Sequence, residues 1–97
     1  MAESRYTLRG EVDIEVAFRI RAELQALVAR DGAHLLIDCS QLVFIDSSGV
    51  AVLLEANRDL EDDGRHMLIV NVPKGPRRVF EVLGLADLLR YDRELAS

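Results

Sequence analysis

Cysteine is almost absent from this chain. Cys39 stands alone among 97 residues, so no internal disulfide can form, a pattern that fits the reducing cytoplasm. One Cys and two His, His34 and His66, at no ligand-like spacing give no zinc pattern. No apolar run approaches the roughly 20 residues that a membrane span requires, and Met1 to Arg5 lacks the basic-then-apolar pattern of a secretory leader, so no membrane insertion is expected. Positive charge is also in short supply. Twelve Lys and Arg against 17 Asp and Glu leave a formal net charge of −5, which argues against nucleic acid, a polyanion that demands a basic footprint. The Gly-x-Ser-x-Gly elbow of serine hydrolases is missing, as is the Gly-rich loop with a lysine that cradles phosphates. Repeats, low-complexity segments and linkers are missing too, so the expectation is one acidic, soluble, cytoplasmic domain over 1–97 with an ordered core of about 6–91.

What is present is a core's worth of apolar residues, 49% of the chain, arranged in alternating patterns. Tyr6-Thr7-Leu8-Arg9 has β character and stops at Gly10. From Ile14 to Arg30 the residues Val16, Ile20, Leu24, Leu27 and Val28 recur at three- and four-residue steps. That spacing predicts an amphipathic helix, capped by Asp13 and ended before Gly32. Phe18 lies off the stripe, at the core's edge or on a contact face. His34 to Cys39 reads as a buried strand with Cys39 a small buried hydrophobe, and Gln41 to Asp46 leads on to a turn. Gly49 to Leu60 has helical composition, with Glu61 to Gly64 as its exit. His66 to Asn71 is a second buried strand, Arg77 to Leu83 a last helix stopped by Gly84, and Leu85 to Tyr91 one more turn and a short strand. Strands apolar on both faces alternating with helices predict an α/β fold, a single layer of mostly parallel sheet covered by helices.

The most informative segment is Gln41 to Glu55, where the apolar run Leu42 to Ile45 ends abruptly in Asp46-Ser47-Ser48-Gly49. Asp and Ser accept hydrogen bonds from the unpaired N–H groups that open a helix, and such an end also accommodates an anion. Two readings stand side by side. In one, Asp46 or a serine caps the helix and Gly49 relieves crowding. In the other, two hydroxyls where one cap suffices, preceded by Asp46 and beside an open Gly49, present a hydroxyl to a partner at small steric cost. Hydrolysis is the weaker chemistry: His34 and His66 begin their strands, at the end of a parallel sheet away from the serine turn, so neither is placed as a base. Lys74, Arg77 and Arg78 form the one basic cluster, read either as a solvated loop or as a contact for an acidic partner.

Phe44-Ile45-Asp46-Ser47-Ser48-Gly49-Val50 resembles the phosphorylation loop of anti-sigma factor antagonists, small proteins of the STAS-domain family. Gly10-Glu11-Val12-Asp13 is similar to the family's Gly-Glu-Leu-Asp segment before its first helix. Leu36-Ile37-Asp38-Cys39-Ser40 resembles its central strand, and Val79 to Leu85 its last helix and stop. The resemblance implies a binding switch with no catalytic residue, cofactor or metal. A partner that is both anti-sigma factor and serine kinase would phosphorylate Ser47. Ser48 would serve as the helix cap, and Asp13, Asp46, Ser48 and Gly49 would share the partner-binding surface. The bare form would bind the anti-sigma factor and free a sigma factor, and a phosphatase would reset the switch. The alternative that the resemblance leaves is an accessory subunit of a membrane transport system such as a lipid-exporting ATPase, with the Ser47 turn a mere contact. Family members carry a further strand before the Gly-Glu-Leu-Asp segment. Only five residues precede Tyr6 here, so the N-terminal edge strand is expected to be missing or shortened, leaving a sheet edge for homodimer or partner pairing.

Overall fold

Each apolar strand runs directly into a helix. In the computed structural model, which describes residues 3–30 and 34–89, the order is β1 (Glu3–Val12), α1 (Ile14–Val28), β2 (His34–Ile45), α2 (Ser47–Asp62), β3 (Met67–Val70), α3 (Lys74–Val82) and a 3-10 turn, Ala86–Leu89. β2 lies in the middle, parallel to β1 on one side and to β3 on the other. The α/β class and parallel sheet are as expected, and β1 forms one edge of the sheet among the described residues. Right-handed crossovers between sequential parallel neighbours set α1 and α2 on the same face. There the two helices pack together, and Arg21 Nη2 donates to Glu55 Oε1 at 2.8 Å across them. Leu24, Ile37, Leu53, Leu60, Ile69 and Phe80 are fully buried in the shared core, each contributing about 1.5–3 kcal/mol by leaving water. Within the predicted α1 stripe Ile20 and Leu24 are buried and Val16, Leu27 and Val28 half-buried, while Phe18 is exposed. No helix among the described residues is long and apolar enough to cross a membrane.

Several boundaries differ from the expected ones for local physical reasons. β1 does not stop at Gly10: the residue has φ +65° and sits where the β1–β2 register shifts, so its freedom at positive φ absorbs an irregularity inside a strand of ten residues. β2 is one strand of twelve residues and not a strand followed by a lead-in; the Asp38 carboxylate takes the Ser40 N–H at 3.0 Å as the chain continues. α3 begins at Lys74 and not Arg77, with Pro76 inside its first turn, where a missing N–H costs nothing because it would have no helical partner. Its end is as expected. Gly84, at φ +75°, donates to Glu81 O while Leu85 donates to Phe80 O, the paired bonds of a Schellman stop. The 3-10 turn follows, and the short strand expected beyond it lies outside the described residues, as does Gly32.

α1 stops at Val28 and not Arg30, and a buried arginine closes its end. Arg65, just past α2, donates from Nη1 to Arg30 O at 3.0 Å and from Nη2 to Val28 O at 2.7 Å, and pairs with Asp63 at 2.9 Å. His34 and His66 stack at the N-terminal ends of the strands, with ring centroids 5.2 Å apart, and the His66 N–H donates to His34 Nδ1 at 3.0 Å.

Candidate functional site

The C-terminal end of the sheet gathers three helix starts. Val12 and Ile45 are register partners at the ends of β1 and β2, and the Asp46 N–H donates to Val12 O at 3.2 Å, so the turns into α1 and α2 lie side by side. Each turn is made by an aspartate in extended backbone. Asp13 accepts the Val16 N–H at 3.1 Å, the expected cap of α1, and its side chain is exposed. Asp46 Oδ1 accepts the Ser48 N–H at 3.0 Å and the Gly49 N–H at 3.2 Å. The Ser48 hydroxyl donates to that same oxygen. This bond, together with the two backbone donors, holds the Asp46 carboxyl below the ordinary carboxylate range.

The expected division of labour is therefore revised. Ser48 does not cap α2; Asp46 does, because its short carboxylate reaches both open N–H groups, and Ser48 is bound into that cap. Ser47, the first helical residue, is exposed, and its hydroxyl has no hydrogen-bond partner among the described residues. Gly49 is also recast. It is buried, and a Cβ on it would meet Ile45 Cγ1 at 2.6 Å and Val12 Cγ1 at 2.8 Å, so its small size seats α2 on the strand ends and opens no surface to a partner. Asp13, Asp46, Ser47 and Ser48 are thus brought together, with Gly49 beneath them. The histidines lie at the far end of the strands, a full length of β2 from the serine turn.

One part of the site was not foreseen. Ser47 shares a groove of about 320 Å³ with Gly75, Arg78, Val79, Val82 and Leu83 of α3 and its C-cap. Val82 is 77% exposed and Leu83 44%. On the α1 side, Ile14 is 70% and Phe18 76% exposed, one helical turn apart and next to Asp13. The serine turn is flanked by two apolar surfaces. The signal for the α3 wall was weak in the sequence: Val82 falls off the buried Pro76–Phe80 face, but nothing local says that this helix docks beside Ser47.

A family model described as "Mlab, STAS domain" matches residues 2–90. The chain belongs to the STAS-domain family. Among the relatives of this STAS domain is the anti-sigma F factor antagonist of Lysinibacillus sphaericus, 33% identical over 79 residues that make up 80% of this chain and 68% of that protein. The structure of the anti-sigma factor antagonist SpoIIAA in its unphosphorylated form superposes with a TM-score of 0.80 at 25% identity, over 100% of this chain and 92% of that one. The Bacillus cell fate determinant SpoIIAA in its phosphorylated form matches with a TM-score of 0.72 at 27% identity, over 92% and 82% of the two chains.

Proposed function

We propose that this STAS domain is an anti-sigma factor antagonist, a cytoplasmic binding module and not an enzyme. Unphosphorylated, it captures an anti-sigma factor that is also a serine kinase and so frees a sigma factor; phosphate on Ser47 ends the capture, and a phosphatase restores it. The observation that carries this reading is the unequal state of the two serines. Ser48 spends its hydroxyl on Asp46, whereas Ser47 stands exposed at a helix start with its hydroxyl unengaged. A relative named as an anti-sigma F factor antagonist and a structural counterpart described in both phosphorylation states support it. The partner's footprint would centre on Ser47, Asp46 and Asp13, with Ile14 and Phe18 on one side and Val82 and Leu83 on the other. Exposed apolar side chains beside a polar turn suit a binding interface. A phosphate adds about −1.5 to −2 charges there, on a chain already at −5, and would repel an acidic partner surface without unfolding the helix start. The edge of β1, unpaired among the described residues, offers a route to homodimers.

Incubation with ATP and a candidate anti-sigma factor kinase, read by intact mass, tests the proposal. One phosphate on the wild type and none on Ser47→Ala is the expected result. Phosphate retained on Ser47→Ala moves the acceptor to Ser48, and a wild type that takes none points to the transport-subunit alternative.

A further inference from the structure

A phosphate on Ser47 would meet different surroundings on its two sides. Toward β1 lie the carboxylates of Asp46 and Asp13, which repel it. Toward α3 lies the shared groove, whose lining is Gly75, Val79, Val82, Leu83 and a single charged side chain, Arg78. Arg78 also lines the adjoining hollow with Lys74, Arg77 and Glu81, so three cations and one carboxylate occupy this lip of a molecule whose net charge is −5. Arg77 is committed, donating to Val72 O at 2.9 Å. Arg78 and Lys74 have no ion pair among the described residues.

This placement is electrostatically unrewarded in the unmodified protein. Lys74, Arg77 and Arg78 all sit in the first half of α3, where cations oppose the helix dipole. Arginine is also the side chain best shaped for phosphate, because its planar fork gives two parallel N–H donors. Ser47 and Arg78 are both exposed on this groove, within reach of solvent, so a charge pair formed there is expressed most strongly at low ionic strength. We propose that Arg78 is the internal receptor for a phosphate on Ser47: it draws the phosphate across the groove and covers Val79, Val82 and Leu83, so that modification removes an apolar docking surface as well as adding charge. The pairing rests on the reading of Ser47 as the acceptor for its physiological meaning, though not for its test.

The test installs phosphoserine at position 47 during translation, so that no kinase is involved, and follows the phosphate by ³¹P NMR across a pH series in low salt. In the folded wild type the second ionisation of the phosphate is expected about one unit below that of the same chain in urea, since a facing cation favours the dianion. Arg78→Gln should return it to the unfolded value, and Arg78→Lys should keep part of the shift. Amide exchange in Val79–Leu83 should slow on phosphorylation in the wild type and not in Arg78→Gln. Superimposable titrations of wild type and Arg78→Gln, with the unmodified proteins equally stable to urea, overturn the proposal. A kinase that ignores Ser47 would instead overturn the functional reading and leave this pairing standing on its own measurement.

Discussion

The Ser48 hydroxyl and two backbone N–H groups converge on one carboxylate oxygen of Asp46. Adjacent serines are thereby made chemically unequal by a residue that precedes both. Ser48→Ala should remove one of three donors and leave the cap working, so that the urea midpoint falls slightly and, on the proposed reading of Ser47 as acceptor, the variant still takes one phosphate. Asp46→Ala removes the acceptor itself and should lower the midpoint more, with α2 frayed at its first turn. Equal midpoints for the two variants would show that the backbone donors contribute nothing.

Acid should probe the same contacts. Asp46 is held below the ordinary value of 3.8 chiefly by the Ser48 hydroxyl, and Asp38 below the same value chiefly by the Ser40 N–H, with Asn71 and Arg5 assisting. A carboxylate with a depressed folded value binds its proton more readily in the unfolded chain. Its contribution is therefore complete above the unfolded value and disappears as pH falls through the lower folded value. Stability is expected to be flat from neutrality down to about pH 5 and to decline below about pH 4. Asp38→Asn should flatten that fall, as measured by urea unfolding at pH 7, 4 and 3.

Gly49 carries a steric prediction. Ile45 and Val12, whose atoms a new Cβ would strike at 2.6 and 2.8 Å, are themselves buried at 0% and 1% exposure and have no room to yield. Gly49→Ala should cost about 1–3 kcal/mol, the range for overpacking a filled core, despite alanine's better helix propensity. Because α2 must lift from the strand ends, Ser47 moves with it, and if Ser47 is the proposed acceptor its phosphorylation should fall along with the melting temperature. An unchanged melting temperature would contradict the packing assigned to this glycine.

Much of this architecture was legible because its determinants are local. Asp13 before Ile14, Asp46 before Ser47 and Gly84 after Leu83 act within three or four residues, so their chemistry can be read from spacing alone. Where two local solutions exist, spacing cannot choose between them. Gly10 fits a strand end or a strand irregularity equally well, and only pairing with β2 selects the second. Pro76 ends one helix or enters the first turn of another, depending on where the chain leaves β3. Asp46 and Ser48 are both competent caps, and the cap is settled by which oxygen lies nearer two N–H groups. The groove between Ser47 and α3 is further removed still, since it joins elements separated by a strand and is made by docking.

Arg65 offers a test of the distal end. Its guanidinium is buried and serves two carbonyls at the end of α1, Arg30 O and Val28 O, while pairing with Asp63. Arg65→Ala should cost about 2 kcal/mol, the scale of hydrogen bonds made by a charged group. Arg65→Lys should recover only part, because a single ammonium cannot reproduce the fork. Since α1 unwinds from its far end, amide exchange should rise first in Leu27 and Val28 and leave Ala17 to Arg21, in the hydrogen-bonded first half of the helix, protected; uniform exchange along the helix would argue against a capping role.

The apolar flanks make the sharpest separation between stability and binding. Phe18 and Val82 are 76% and 77% exposed on different helices, on opposite flanks of Ser47, and neither belongs to the core. Substitution of either by aspartate should therefore leave the urea midpoint within about 0.5 kcal/mol of wild type. If both flanks lie under the proposed anti-sigma factor partner, each change should weaken binding at least about tenfold, the loss of a well-buried apolar contact made worse by an unpaired charge. Calorimetric titration of the partner into each variant decides the footprint. Loss with Phe18→Asp alone would confine it to the α1 side, and loss with Val82→Asp alone would centre it on the α3 groove. Wild-type affinity in both would place the partner elsewhere on the molecule.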